Sequence, residues 1–122
     1  MAAKKSFKRI MLKFSGEVLQ GKNGALINFE TLDRLAKDVK ALHKKKMQIA
    51  IVVGGGNIWR YRDFKGKGIP RVESDFMGMM ATVMNGVALQ SALERMDVPA
   101  RVVSALKVQE LAEPYVRRKA LD

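Results

Sequence analysis

Three features of the chain carry residue types suited to chemistry, two of them on phosphate and one on sugar hydroxyls. The first is Lys13-Phe14-Ser15-Gly16, at the end of a short apolar run. A glycine there lets backbone N–H groups come close to anionic oxygens. A lysine beside it adds positive charge where a transferring phosphoryl group becomes more negative. The second is Gly54-Gly55-Gly56-Asn57, followed by Arg60. Consecutive glycines after a buried strand expose N–H groups with no side chain in the way, which makes an anion nest. The stretch matches neither the GxxxxGK[ST] phosphate loop nor the GxGxxG dinucleotide fingerprint. The third is Asp75, a carboxylate able to accept hydrogen bonds from ribose hydroxyls. Each also has a plainer reading. Lys13 can be an exposed lysine beside an ordinary turn, the glycines a tight strand-to-helix connection, and Asp75 an acid that complements a helix dipole in its first turn. His43 is the only histidine, lies next to lysines and has no evident partner, so no metal ligand or catalytic imidazole is assigned. Trp59 and Tyr61 flank Arg60 and could stack on a base or simply pack.

The elements that must position these residues follow from periodicity. Residues 8–14 read as a strand ending near Lys13, and 15–28, with the GKNG turn, as loop-rich. Asn28 is suited to cap a helix over 29–44, with Glu30 in its first turn. Leu32, Leu35, Ala36, Val39 and Leu42 recur at spacings of three and four and form its apolar face. Residues 47–53 are β-branched and nearly all apolar, the pattern of a strand buried on both faces of a parallel sheet. Strand, helix, strand and glycine turn make a βαβ unit. Residues 60–73 read as an irregular loop or lid. Ser74 is expected to cap a second helix over about 75–96, apolar almost all round and largely buried. After Pro99 a third strand is expected at 100–103, then a helical stretch over 107–120 broken at Pro114.

Composition bounds the function. At 122 residues, with 48% apolar and 29% charged residues, the chain has the size and make-up of one globular domain. It has no cysteine, which excludes a disulfide framework, a thiolate metal site and a cysteine nucleophile. The longest uninterrupted apolar run read from the sequence, 49–53, is too short to cross a bilayer, so a cytoplasmic protein with no membrane partner is expected. The net charge of +11 implies an anionic partner without specifying which. A nucleic-acid-binding module is the alternative that this charge raises. The few aromatics sit mostly beside apolar residues and no nucleic-acid motif is present, which argues against it. The eight methionines suit core gaps or a subunit interface.

The strings KRIMLKFSGEVLQG, IVVGGGNIWR, DFMGMMATVMNGVAL and RVVSALKVQELAEPYVRRKA closely resemble the bacterial UMP kinases of the amino-acid-kinase superfamily. GGGN with the following arginine, then an aspartate before MGMxATVMNG, separates these from acetylglutamate and aspartate kinases. The resemblance implies an α/β fold: a three-layer αβα sandwich on a mostly parallel sheet, the amino-acid-kinase fold. It implies phosphoryl transfer from ATP to UMP with Mg²⁺, in pyrimidine nucleotide synthesis, by a homo-oligomer that is hexameric in the family. Lys13, Phe14, Ser15 and Gly16 match ATP-binding positions, with Lys13 the catalytic residue. Gly56 and Arg60 match further ATP positions. Gly55 and Asp75 match UMP-binding positions. Gly21, Lys22, Asn23, Gly24, Ala25 and Leu26 occupy a segment linked to GTP activation, and GTP or UTP effectors are implied. Family members are about twice as long, so residues 1–122 correspond to the N-terminal, nucleoside-monophosphate-binding part, without the C-terminal ATP-binding half. An inactive fragment that associates with a partner chain is a second reading. An amino-acid kinase acting on a carboxylate substrate is a third, disfavoured because Asp75 would repel it.

Overall fold

The computed structural model describes residues 6–108 and 110–122. Its centre is a parallel pair of strands, β1 (Arg9–Phe14) and β2 (Gln48–Val53), in register from Arg9 opposite Gln48 to Phe14 opposite Val53. They are joined by α1 (Phe29–Lys44). Asn28 caps α1 as expected, its side-chain oxygen accepting from the Thr31 N–H at 3.1 Å. Leu32, Ala36 and Val39 are buried, and Leu35 and Leu42 half-buried, along one stripe of the helix. That stripe meets Leu89, Ala92 and Leu93 of α3 (Arg71–Glu94), with Leu19 and Val98 closing the core. Leu12, Phe14, Ile49, Ile51 and Val53 pack against it from the sheet.

Several expectations are corrected. β2 is not buried on both faces: exposed and half-buried residues alternate along both strands. The helices lie on one face, and Met11, Lys13, Ala50 and Val52 stand exposed on the other. The α/β class with parallel strands is as expected, and the described helices pack against one face of the strand pair. Residues 15–28 are loop-rich as expected, with one 3₁₀ turn at Gly16–Leu19. The segment 60–73 is not wholly irregular. It holds a short helix, α2 (Tyr61–Phe64), and the start of α3.

Helix α3 begins at Arg71, behind Pro70, whose fixed φ of −61° prepares a helix start. Ser74 is therefore not the cap. It lies within the helix, buried, and its hydroxyl is taken by Trp59. Nor is α3 largely buried. Val72, Phe76, Met79, Met80 and Met84 are exposed, because α1 and the glycine turn cover only one side of it. By length and composition α3 alone would pass as a membrane span, with a mean hydropathy of 1.2 over its most apolar 18-residue window. Here its buried side forms the core with α1.

The expected third strand does not join the central sheet. Residues 100–102 are held along α3: Gln90 Nε2 donates to the Ala100 carbonyl at 3.3 Å, and a Cβ on Gly86 would lie 3.2 Å from Val102. Val103–Ser104 (β3) instead pairs with Glu113–Pro114 (β4), and the Arg101 guanidinium grips Glu113 at 2.6 and 2.9 Å. The stretch expected to be helical over 107–120 thus contains β4, and among its described residues the helix is Arg117–Leu121 (α4). Proline accounts for this, since Pro114 cannot donate within a helix.

Candidate functional site

Because β1 and β2 are parallel, their carboxyl ends reach the same edge, and each runs out into glycine. The Gly54 N–H donates to the Phe14 carbonyl at 2.9 Å, extending the ladder by one rung. Beyond it the two chain tips touch. A Cβ built on Gly16 would stand 2.6 Å from the Gly56 nitrogen and 2.6 Å from Asn57 Oδ1. A Cβ on Gly55 would stand 2.9 Å from the Ala81 Cβ and 3.0 Å from the Gly78 carbonyl, so the triplet is also wedged against α3. Side chains are excluded here by contact, which is why this edge is built of glycine. Among the described residues, the N–H groups of Gly16, Gly55 and Gly56 donate to no backbone acceptor. They remain available to an anion.

Charged groups flank these tips. Lys13 is exposed on the face of β1 opposite the helices. Arg60 folds back on the triplet, its Nε donating to the Gly56 carbonyl at 2.8 Å. Its other arm pairs with Glu17 at 2.5 Å. Sequence reasoning missed Glu17. Its carboxylate is more than half exposed, so the pair contributes under about 1 kcal/mol and an incoming phosphate could displace it.

Asp75 lies a full turn into α3, not in its first turn, where Glu73 is the acid. It pairs with Arg71 four residues back at 3.1 Å. Both line an open cavity of about 430 Å³ together with Trp59, Tyr61, Ser74 and Gly78. Trp59 stacks on Phe64, with ring centroids 4.1 Å apart and planes 2° from parallel, and its indole N–H donates to Ser74 at 2.8 Å. The Arg71 guanidinium lies 4.2 Å over the Tyr61 ring. Trp59 and Tyr61 are therefore engaged inside the protein. This cavity does not include Lys13, Phe14, Ser15 or Gly16. It abuts the glycine triplet through Gly78, whose carbonyl faces Gly55. The structure thus brings Gly16, Gly55, Gly56 and Arg60 together and sets Asp75 in an adjoining hollow.

The segment Gly21–Leu26 is a loop closed by the Gly21 N–H on the Ala25 carbonyl at 2.8 Å, with Gly24 at φ +78°. Lys22 and Asn23 line a second cavity of about 460 Å³ with Glu30, Thr31 and Arg34. The loop is tied to the strand tips by a buried pair that sequence reasoning also missed. Asn57 Nδ2 donates to the Leu26 carbonyl at 2.8 Å and to Asn85 Oδ1 at 3.1 Å. Asn85 Nδ2 donates to Asn57 Oδ1 at 2.7 Å and to the Gly54 carbonyl at 2.8 Å. The available signal was an asparagine in the middle of an apolar helix, at a position that hydrophobic periodicity assigns to the core. Among the described residues no three Asp, Glu or His side chains gather closely enough to hold a metal ion.

Comparison with known proteins gives a consistent result. The sequence model of the amino acid kinase family matches residues 8–120. The uridylate kinase of Limosilactobacillus reuteri is 48% identical over 115 residues, which cover 94% of this chain and 48% of that protein. The uridylate kinase of Dichelobacter nodosus is 47% identical over 118 residues, 97% of this chain and 49% of the relative. The chain therefore spans about half the length of the curated relatives it matches. Among solved structures, UMP kinase from Ureaplasma parvum superposes with a TM-score of 0.85 at 37% identity, over 93% of this chain and 50% of that one. UMP kinase from Bacillus anthracis gives 0.89 at 31% identity, over 96% and 48%. Carbamate kinase from Giardia lamblia, at 14% identity and a TM-score of 0.54, shares the fold alone. With its parallel strands, its crossover helix and a family match over nearly its whole length, the chain belongs to the amino acid kinase family.

Proposed function

We propose that the chain is the N-terminal portion of a UMP kinase, which transfers the γ-phosphoryl group of ATP to UMP and yields ADP and UDP. The observation that carries this reading is the contact between the two glycine tips, with the N–H groups of Gly16, Gly55 and Gly56 left free of backbone acceptors. Such a pair of tips can surround phosphate oxygens from two sides. The identities to uridylate kinases support UMP as the acceptor.

In this reading Lys13, with Phe14, Ser15 and Gly16, and Gly56 with Arg60, cradle the ATP phosphates. Lys13 neutralises charge on the group in flight. Arg60 leaves Glu17 to do its part. Gly55 and Asp75 hold UMP, Asp75 by accepting hydrogen bonds from its hydroxyls, so that a UMP phosphate oxygen lies in line with the γ-phosphorus. That oxygen is already ionised, so no general base is required. Among the described residues the side chains form no cage for Mg²⁺, which would arrive with the ATP phosphates and screen their charge. The remainder of the ATP site is assigned to a C-terminal half. A cytoplasmic homo-oligomer, hexameric as the resemblance implies, with GTP acting at Gly21–Leu26 and UTP as a further effector, completes the proposal.

The test is calorimetric titration of the isolated chain with ATP and with UMP at low salt, together with a coupled assay. Binding of nucleotide with no steady turnover is expected. Affinity for neither nucleotide would remove the phosphate cradle. Turnover in the ordinary kinase range of about 1–100 per second would refute the assignment of the missing chemistry to a second half.

A further inference from the structure

The Asn57–Asn85 pair is buried, at 4% and 0% exposure, beside the glycine tips. Buried amides are retained only when their donors and acceptors are met, and here the geometry allows one arrangement. The Leu26 carbonyl requires the NH₂ group of Asn57, and the Gly54 carbonyl requires that of Asn85. The two side-chain oxygens are then left to accept from each other's NH₂ groups, at 2.7 and 3.1 Å. Turning either amide over would set its oxygen against a backbone carbonyl. Asn57 Oδ1 also sits where a Gly16 side chain would have to go. One pair thereby touches both strand tips, α3 and the 21–26 loop.

We propose that Asn57 and Asn85 are positioning residues that hold the Gly16 turn and the glycine triplet face to face, and that through Leu26 they couple the 21–26 loop to this phosphate cradle. The positioning role rests on the phosphate reading above. The coupling is a statement about the fold and stands apart from it. Four hydrogen bonds from two buried side chains, each with one possible orientation, make a stiff link. A change in the loop that moves the Leu26 carbonyl must then move Asn57, and with it the Gly54 turn. Coupling of this kind is reciprocal.

The test uses isotope-labelled wild-type, Asn85→Asp, Asn85→Leu and Gly24→Val chains, read by backbone amide spectra and by ATP titration at two pH values. Asn85→Asp removes the NH₂ donors and sets a carboxylate against the Gly54 carbonyl and Asn57 Oδ1. Burial among acceptors raises the pKa of that carboxyl above its ordinary range. Below this folded-state value the protonated acid regains one O–H donor, and above it none remains. Glu17 and Arg60 border the turn at Gly56, and the wild-type titration is the control for them. At pH 8 Asn85→Asp is expected to shift the amides of Gly16, Gly54–Gly56 and the 25–27 stretch together, and to weaken ATP about tenfold or more. At low pH both effects should partly reverse. Asn85→Leu, with no acid to protonate, should show the loss without the reversal. Shifts confined to α3, an unchanged ATP affinity, or identical behaviour of Asp and Leu at both pH values would overturn the positioning role. Gly24→Val changes an exposed loop residue at φ +78° with open space around it, so it tests the link even if the Asn85 variants do not fold. Movement of the Gly54–Gly56 amides is expected, and their stillness would overturn the coupling. If wild type binds no ATP, the phosphate reading fails, while the Gly24→Val spectra still decide the coupling.

Discussion

At Gly16 a single methyl group decides whether the two strand tips can meet. Gly16→Ala would force its Cβ to 2.6 Å from a backbone nitrogen, which cannot retreat as a flexible side chain could. The expected result is a loss of about 1–3 kcal/mol of stability and weaker ATP binding, measured by thermal melting and titration. Lys13 is the opposite case. It is exposed and packs against nothing in the core, so Lys13→Ala should leave the melting temperature unchanged. In an enzyme completed with the C-terminal half of a uridylate kinase, the same change should lower turnover by about 10²–10³-fold if Lys13 has the role proposed for it, a charge aimed at the transition state. Unchanged turnover would take Lys13 out of the mechanism. Asp75→Asn keeps the shape of the cavity wall but weakens an acceptor. It should raise the UMP concentration needed for half-maximal rate in the completed enzyme while leaving the ATP dependence alone. The reverse pattern would exchange the two substrate assignments.

Among the elements, α1 is the one whose local signals and tertiary packing agree throughout. Its cap, its apolar stripe and the basic His43 and Lys44 in its last turn all point the same way. Asn28→Ala removes the side-chain acceptor of the Thr31 N–H and should cost about 1 kcal/mol, a fall of a few degrees in melting temperature. No change would mean that packing of α1 on α3 alone sets its start. In α3 the two levels disagree. Its apolar residues encircle it, yet the described residues cover only one side. Its N-terminal turn is held instead by Pro70 and by the Trp59–Ser74 hydrogen bond, which ties the Asp75 cavity to the chain that leaves the glycine triplet.

For the molecule as a whole, this uncovered apolar surface has a consequence in solution. Val72, Phe76, Met80 and Met84 recur four residues apart and form an exposed stripe, and Met11 and Val52 stand on the open face of the sheet. Contiguous apolar surface of this kind drives association, and the free edges of two paired strands invite further pairing. The isolated chain should therefore associate with rising concentration in light scattering. The Met80→Glu/Met84→Glu double variant should shift the balance toward monomer. A wild-type chain that stays monomeric at every concentration would contradict this. The +11 charge opposes association through repulsion, so added salt should promote it.

The βαβ unit and its glycine turn could be read from the residues because they rest on local rules. A helical stripe, an asparagine cap, a β-branched run and a glycine triplet each act within a few neighbours along the chain. Contacts between distant segments decided the rest. Asn85 stands out as a polar residue within an apolar helix, but only the fold brings it to Asn57, 28 positions away, in a shared buried site. Arg60 looks free until Glu17 lies beside it. Residues 100–103 read as a third strand, but α3 holds 100–102, and the strand at 103–104 pairs with 113–114. Propensity and periodicity set what a segment prefers to be. Which partner satisfies its buried polar groups, and which of its faces remains wet, depends on chain brought close only by folding.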